Sequence, residues 1–317
     1  MVSHADIRTA AARLAGHAVH TPLLRSDALD AATGARIWLK PECLQRSGSF
    51  KFRGAYNRLS AMTSDERAHG VVAFSSGNHA QGVALAAQLL SITATIIMPA
   101  DAPGVKIAAT KAYGATVVLY DRYTENRVAI AAKLTATSGA VVVPPFDDPY
   151  VVAGQGTVGL EVAADLAAMG VTADVAVVCC GGGGLASGVT LGSGLPVVVV
   201  EPVGYDDVIR SLRDGAIVGV DHPGATICDA LQTMAMAPLT FDILSAAGAT
   251  GVAVTDAEAA SAVAFAFRHL KLVVEPGGAV ALAAALTGRV DLTGKTAAVV
   301  LSGGNVDVAV FERCLAA

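Results

Sequence analysis

The sequence predicts an α/β fold of two open, mainly parallel twisted sheets flanked by helices, and three observations carry that prediction. Short β-branched runs alternate with helix-like segments along most of the 317 residues. Turns rich in Gly and Ser follow several of those runs. A proline-rich stretch divides the chain into two α/β blocks.

In chain order the runs are VVAF at 71–74, TATIIM at 93–98, ATVVLY at 115–120, AVVV at 140–143, DVAVVCC at 174–180, PVVVVE at 196–201 and AAVVL at 297–301. Strands apolar throughout, rather than alternating, are covered on both faces, as in parallel sheets with helical crossovers. Thr63 with Glu66, and Thr255 with Glu258, have capping-box spacing, in which a hydroxyl and a carboxylate satisfy orphan amides at a helix start. The segment from Ala257 to Leu272 reads as one amphipathic helix, with Phe265, Phe267 and His269 as packing and surface residues. The blocks run from about Gly70 to Asp147 and from about Tyr150 onward, and Pro144-Pro145-Phe146-Asp147-Asp148-Pro149 is the boundary. The expected division is a large domain of residues 1–69 and 148–317 and a small domain of residues 70–147. No low-complexity tract or repeat of 20 to 50 residues is found, which excludes a solenoid, and no domain is expected after the last strand.

Composition narrows the function. With 53% apolar residues and 15% charged, the chain is too apolar to be disordered. The balance of 22 Lys+Arg against 27 Asp+Glu gives a net charge of -5, and no basic block is present, so nucleic acid is not an expected partner. A mean hydropathy of +0.55 invites a membrane reading. The apolar stretch from Ala84 to Pro99, however, carries Gln88, Ser91, Thr93 and Thr95, short of an unbroken span of about 20 residues. The start, MVSHADIRTAAARLAGH, holds Asp6, Arg8 and Arg13 and no hydrophobic region of signal-peptide kind, so a cytoplasmic protein is expected. Five Cys (Cys43, Cys179, Cys180, Cys228, Cys314) without CxxC spacing fit reduced, mostly buried thiols, and the seven His form no HExxH pair for a catalytic zinc.

Four segments carry chemistry. In Ser47-Gly48-Ser49-Phe50-Lys51-Phe52-Arg53-Gly54 a lysine sits among aromatic and small residues; desolvated, it has a lowered pKa and can be a nucleophile, the alternative being a surface lysine after a turn. Ser75-Ser76-Gly77-Asn78-His79-Ala80-Gln81-Gly82 follows a strand and opens a helix, which makes a carboxylate site or an ordinary capped turn with His79 as a hydrogen-bonding residue. Gly181-Gly182-Gly183-Gly184-Leu185 also lies between strand and helix. Four consecutive glycines imply a close backbone approach, and a phosphate held by amides at the helix start is the physical candidate. The loop is neither GxGxxG with a ribose-binding acid nor GxxxxGK[ST], which argues against dinucleotides and nucleoside triphosphates. Leu301-Ser302-Gly303-Gly304-Asn305 ends a strand, where open α/β sheets hold ligands, and a Ser hydroxyl there can bond a ring nitrogen without ionising it. Together these point to pyridoxal phosphate held as a Schiff base on lysine.

The segments SGSFKFRGA, SSGNHAQGVA, AGQGT, GGGGL, EP with a following DD, and LSGGNVD resemble, in the same order from about Thr21 to Asp307, the fold-type II pyridoxal phosphate enzymes of the serine/threonine dehydratase and serine racemase family. The resemblance implies a fold like that of the tryptophan synthase β-subunit, with a small domain that closes over substrate, and a homodimer. It implies Lys51 as the cofactor-bearing lysine, Phe50 as a neighbour of the ring and Asn78 as partner of the ring hydroxyl. Gly181, Gly182, Gly183, Gly184 and Leu185 become the phosphate loop, and Ser302 the partner of the pyridine nitrogen. Ser75, Ser76, Gly77, Asn78 and His79 match the loop that holds the substrate carboxylate, and Ser76 also matches the opposite-face acid/base of the racemases. Glu201, Asp207 and the carbonyl of Tyr205 align with a divalent-cation site of some members, where oxygen ligands would suit Mg or Ca, a solvated acidic loop being the alternative. The stretch YDRYTENR resembles the hydroxyaspartate dehydratase branch, and Arg127 aligns with an arginine that reaches a second carboxylate, or else lies on a helix surface. One departure is Ala230, which stands where many relatives carry Gly.

The implied reaction is β-elimination from a 3-hydroxy amino acid (L-threonine, L-serine or 3-hydroxyaspartate), with Lys51 as general base and release of a keto acid and ammonia. Racemisation of serine or aspartate, β-replacement, and a non-catalytic module binding a phosphate ligand are the alternatives.

Overall fold

The computed structural model describes residues 2–75 and 77–316. Nine strands are formed: β1 Arg36–Pro41, β2 Val71–Phe74, β3 Ala94–Pro99, β4 Thr116–Tyr120, β5 Val141–Val142, β6 Val175–Cys179, β7 Val197–Pro202, β8 Thr250–Val254 and β9 Thr296–Leu301. They make two all-parallel sheets, one of order β1-β9-β6-β7-β8 and one of order β4-β3-β2-β5. The second sheet draws all its strands from residues 71–142, and the first takes none from that stretch.

The seven runs named from the sequence all become strands, within a residue or two of the expected ends. Central β6 is buried at every position, as a strand covered on both faces must be. Two strands lack that signature. β1 interrupts its apolar residues with Arg36 and Lys40, and β8 is a half-exposed strand containing Gly251. Both lie at the edges of the larger sheet, where burial on two sides is not demanded.

The two capping boxes form as their spacing requires. Glu66 N–H donates to Thr63 Oγ1 (3.2 Å) while Thr63 N–H donates to Glu66 Oε2 (2.8 Å), and Thr255 and Glu258 repeat the pattern. The helix expected over 257–272 is corrected. It runs from Asp256 to Phe265, continues as a π-helical turn from Ala266 to Leu270, and is not amphipathic. Ala259, Ala260, Ala262, Val263 and Ala264 are all buried, because the helix is packed against both Pro276–Leu286 and Val308–Leu315. Among the described residues, no helix is long and apolar enough to cross a membrane.

Two features of the fold position the helix Lys51–Ser60, which begins at the candidate nucleophile. It crosses the helix Pro149–Ala168 at glycines on both sides; a Cβ at Gly154 would stand 2.6 Å from the Arg53 carbonyl, so only glycine lets the backbones meet. Arg53, fully buried, then anchors the helix by charge. It pairs with Glu42 through Nε (2.7 Å) and Nη2 (2.8 Å), and with Glu161 through Nη1 (2.6 Å) and Nη2 (2.9 Å). Lys40 also donates to Glu161 (2.6 Å), and Thr21 Oγ1 donates to Glu42 (2.6 Å). Such a cluster is tolerable in a core because every charge is paired and hydrogen-bonded.

Candidate active site

A cavity of about 410 Å³ opens at the carboxyl ends of β2, β6 and β9, where the two sheets face each other. This is where open parallel sheets bind ligands, since strand-to-helix turns there present helix N-termini. The four segments singled out from the sequence meet at this cavity. Phe50, Lys51, Ser75, Gly77, Asn78, His79, Gly181, Gly182, Gly183, Gly184, Leu185, Ser302 and Arg127 all line it. Ser76 lies outside the described residues.

Lys51 begins its helix with Nζ donating to the Pro145 carbonyl (2.9 Å) and lying 5.1 Å from the Phe50 ring centre. No carboxylate pairs with it among the described residues. Burial therefore dominates, and the ammonium is pulled down to about 8. The segment is held in place by its backbone: Phe50 N–H donates to the Ser302 carbonyl (3.1 Å), and Ser49 forms a bridge with Gly303.

The glycine loop leaves β6 and opens the helix Gly184–Ser193. Gly183, at φ +87, takes a left-handed conformation that a side chain would strain, and its missing Cβ would stand 2.8 Å from Thr240. Gly182 and Gly184 both pack against Phe146. Amides of a helix's first turn have no intrahelical acceptor, so this end of the cavity offers several N–H donors and the positive end of a helix dipole. Ser302 is buried at the end of β9 beside Cys179, whose thiol burial pushes up to about 11, with the Ser302 hydroxyl pulling the other way.

At the third wall, Gly77 N–H donates to Ser75 Oγ (3.1 Å), and Asn78 begins the helix Asn78–Leu90. Asn78 Nδ2 donates to Glu275 Oε1, and Asn78 Oδ1 accepts from Asn305 Nδ2 (2.9 Å). His79 bonds the Val143 carbonyl through Nε2 (2.9 Å), the structural hydrogen bond the sequence suggested for it, while its buried Nδ1 has no partner among the described residues. Burial, with the nearby Lys51 charge second, holds this imidazole down at about 3, so it is neutral at any working pH. Arg127 is exposed at the start of its helix, its guanidinium 5.3 Å from the Phe74 ring centre, with its chain reaching the cavity.

The carboxylates expected at a cation site, Glu201 and Asp207, do not line this cavity. Glu201 accepts from the amides of Val208 (3.2 Å) and Ile209 (2.8 Å), capping the helix Asp207–Asp214. Glu201 and Asp207 are both buried, so the solvated acidic loop offered as alternative is wrong. Among the described residues no group of three or more His, Cys, Asp or Glu side chains is gathered as a metal site. The Tyr205 ring is buried, its hydroxyl donating to the Gly224 carbonyl (2.9 Å).

Several site residues gave no sequence signal that was read. The Pro144–Pro149 stretch, taken only as a boundary, supplies the Pro145 carbonyl to Lys51 and Phe146 to the glycine loop. Lys106, in the helix Gly104–Ala112, lines the cavity and donates to Asp229 (2.6 Å) and Glu275 (3.3 Å). Asn305 was inside a named motif but without a role. Ala230 lines the cavity as well, beside Asp229.

The residues fit a small aromatic aldehyde bearing one phosphate. An amine pulled below its ordinary pKa, a neutral hydroxyl and a glycine cradle at a helix start line one cavity. Comparison with known proteins agrees. A family model described as "Pyridoxal-phosphate dependent enzyme" matches residues 14–303. An L-threo-3-hydroxyaspartate ammonia-lyase of Pseudomonas sp is 44% identical over 318 residues, covering 99% of this chain and 98% of that enzyme. A second enzyme of that name, from Saccharomyces cerevisiae, is 41% identical over 96% of this chain and 94% of its own length. Among solved structures, maize serine racemase superposes with a TM-score of 0.92 at 34% identity, covering 99% of this chain and 97% of that one.

Proposed function

This chain belongs to the family of pyridoxal-phosphate dependent enzymes, and on that premise we propose that it deaminates a 3-hydroxy amino acid: the β-hydroxyl leaves as water, water is taken up again as the unsaturated amine released is hydrolysed, and the net products are a 2-keto acid and ammonia. The relatives named for hydroxyaspartate support 3-hydroxyaspartate as first candidate substrate, ahead of L-threonine and L-serine. One observation carries the reading: a half-buried amine unpaired with any described carboxylate, Lys51, shares a cavity with a run of four glycines that leads into a helix.

Lys51 would hold the coenzyme, with the Gly181–Leu185 amides on its phosphate, Asn78 on its ring hydroxyl, Phe50 beside the ring and Ser302 on its ring nitrogen. When bound, pyridoxal phosphate supplies an electron sink for negative charge at the substrate α-carbon. Ser75, Ser76, Gly77, Asn78 and His79 would bind the substrate's α-carboxylate, Asn78 and His79 from the first turn of a helix, and Arg127 would receive a second carboxylate. Lys51, held near 8 by burial, is uncharged often enough near neutrality to take the α-proton as general base. Ser302 is a hydroxyl and holds its partner nitrogen without donating a full proton. We take residues 70–147 as a small domain that closes on residues 1–69 and 148–317 and excludes water. A cytoplasmic homodimer is part of the same proposal.

Incubating the purified, coenzyme-loaded protein with L-threo-3-hydroxyaspartate, L-threonine and L-serine, and measuring keto acid and ammonia, tests the reading; no keto acid from any of the three overturns it. Racemisation is kept as a second reading because of the serine racemase likeness. It requires Ser76 to act on the face opposite Lys51, and inversion of recovered serine would reveal it. The cation is a separate proposal: the buried carboxylates of Glu201 and Asp207, with the Tyr205 carbonyl, are oxygen ligands that would suit Mg or Ca. A chelator that leaves rate and melting temperature unchanged removes it.

A further inference from the structure

Lys106 is a second buried amine on the cavity wall, and nothing in the reaction above uses it. It comes from the helix after β3, in the smaller sheet's part of the chain, yet both its partners, Asp229 and Glu275, lie among the strands and helices of the larger sheet. Its stem packs on the substrate loop, where a Cβ on Gly77 would meet Lys106 Cδ at 3.0 Å and Nζ at 3.2 Å. Glu275 is itself buried and divides its two oxygens: Oε2 accepts from Lys106 and Oε1 accepts from the Asn78 amide. At the other end of that amide, Asn305 Nδ2 spans Asn78 Oδ1 (2.9 Å) and the Ser47 carbonyl (2.7 Å).

A carboxylate can only accept hydrogen bonds, whereas a carboxylic acid or a carboxamide can also donate. As a carboxylate Glu275 can only accept, so Asn78 turns its NH₂ toward it, the orientation that Asn305, donating to Asn78 Oδ1, reinforces from the other side. A buried anion stays ionised only with a cation at hand, and Lys106 is the cation that reaches Glu275. We propose that Lys106 is a positioning residue that, by pairing with Glu275, fixes the orientation of the Asn78 amide and so its hydrogen bond to the coenzyme. The inference rests on Asn78 as a coenzyme contact, as read above.

The test uses full-length protein loaded with pyridoxal 5′-phosphate, read by its absorption spectrum, the dissociation constant of the coenzyme, and kcat and KM. Lys106→Met is expected to shift intensity of the visible band toward the near-ultraviolet, to raise the coenzyme dissociation constant about tenfold and to lower kcat about tenfold with little change in KM, the size of effect of a lost hydrogen bond to a charged group. Lys106→Arg keeps the charge and restores the wild-type band. Lys106→Met combined with Glu275→Gln leaves no unpaired buried charge and should fold even where the single variant does not. Its band is still displaced, because a carboxamide no longer dictates how Asn78 turns. A stable double variant with the wild-type band and kcat overturns the inference alone, as does a Lys106→Met protein changed only in KM or in stability. Wild-type protein that takes up no coenzyme overturns the functional reading, and this inference with it.

Discussion

Two lysines line the same cavity, and the protein treats them in opposite ways. Lys51 meets a carbonyl and an aromatic ring, and burial pulls its ammonium down to about 8. Lys106 is also buried, but Glu275 and Asp229 outweigh that burial and hold it above its ordinary value. Desolvation is common to both, so the carboxylates make the difference. An amine kept from acids becomes a nucleophile and a base, whereas an amine given two of them becomes a fixed charge. Arg53 extends the lesson two residues along from Lys51: its paired cluster holds the helix whose first residue is left unpaired.

The largest test of this contrast removes the unpaired amine. Lys51→Ala is expected to abolish coenzyme retention, borohydride trapping at that position and keto acid formation, with activity down by roughly a thousandfold or more. Retained yellow colour together with turnover would break the contrast outright. Next comes the frame. Arg53→Met leaves buried Glu42 without its cation and Glu161 with Lys40 alone, and the urea midpoint should fall in line with a loss of about 3–5 kcal/mol. An unchanged midpoint would mean that the cluster anchors nothing.

Proton affinity gives a third test. An amine reacts only when deprotonated, so trinitrobenzenesulfonate labelling of the coenzyme-free protein should rise with pH around a midpoint near 8 at Lys51. Lys106, whose affinity for its proton is raised, should stay unlabelled through that range. Peptide mapping by mass spectrometry separates the two sites, and equal labelling would sink the distinction. The smallest effect belongs far from both lysines. Thr63→Ala removes one capping box and should lower stability by about 1 kcal/mol, read by thermal melting, while the absorbance of bound coenzyme stays as it was.

Much of this architecture was legible in the sequence. Short Val-rich runs bounded by turn residues read as strands with both faces covered, and glycine at four successive positions after such a run marks a close approach of the backbone. Lys51, Asn78 and Ser302 were each found because a chemically distinctive residue sat at a strand end or a turn. Edge strands β1 and β8 were not legible: Arg36 and the buried, paired Lys40 interrupt the apolar run of β1, and β8 is half-exposed and contains Gly251. Nor was the buried surround of the helix Asp256–Phe265, which depends on two helices that pack on it from other parts of the chain.

Residue type and spacing alone determined the alternation of strands and helices, the glycine cradle and which lysine stands among apolar neighbours, because those depend on local conformation and on the side chains themselves. Only the tertiary structure decided that Pro145 and Phe146 belong to the site, that Glu201 caps a helix, and that Lys106 meets Asp229 and Glu275 from 123 and 169 residues away. A proton's affinity for an amine is set by the dielectric and the charges within a few ångströms. The chain brings those neighbours together only by folding, so a lysine's chemistry can be suspected from its sequence but is settled by its company.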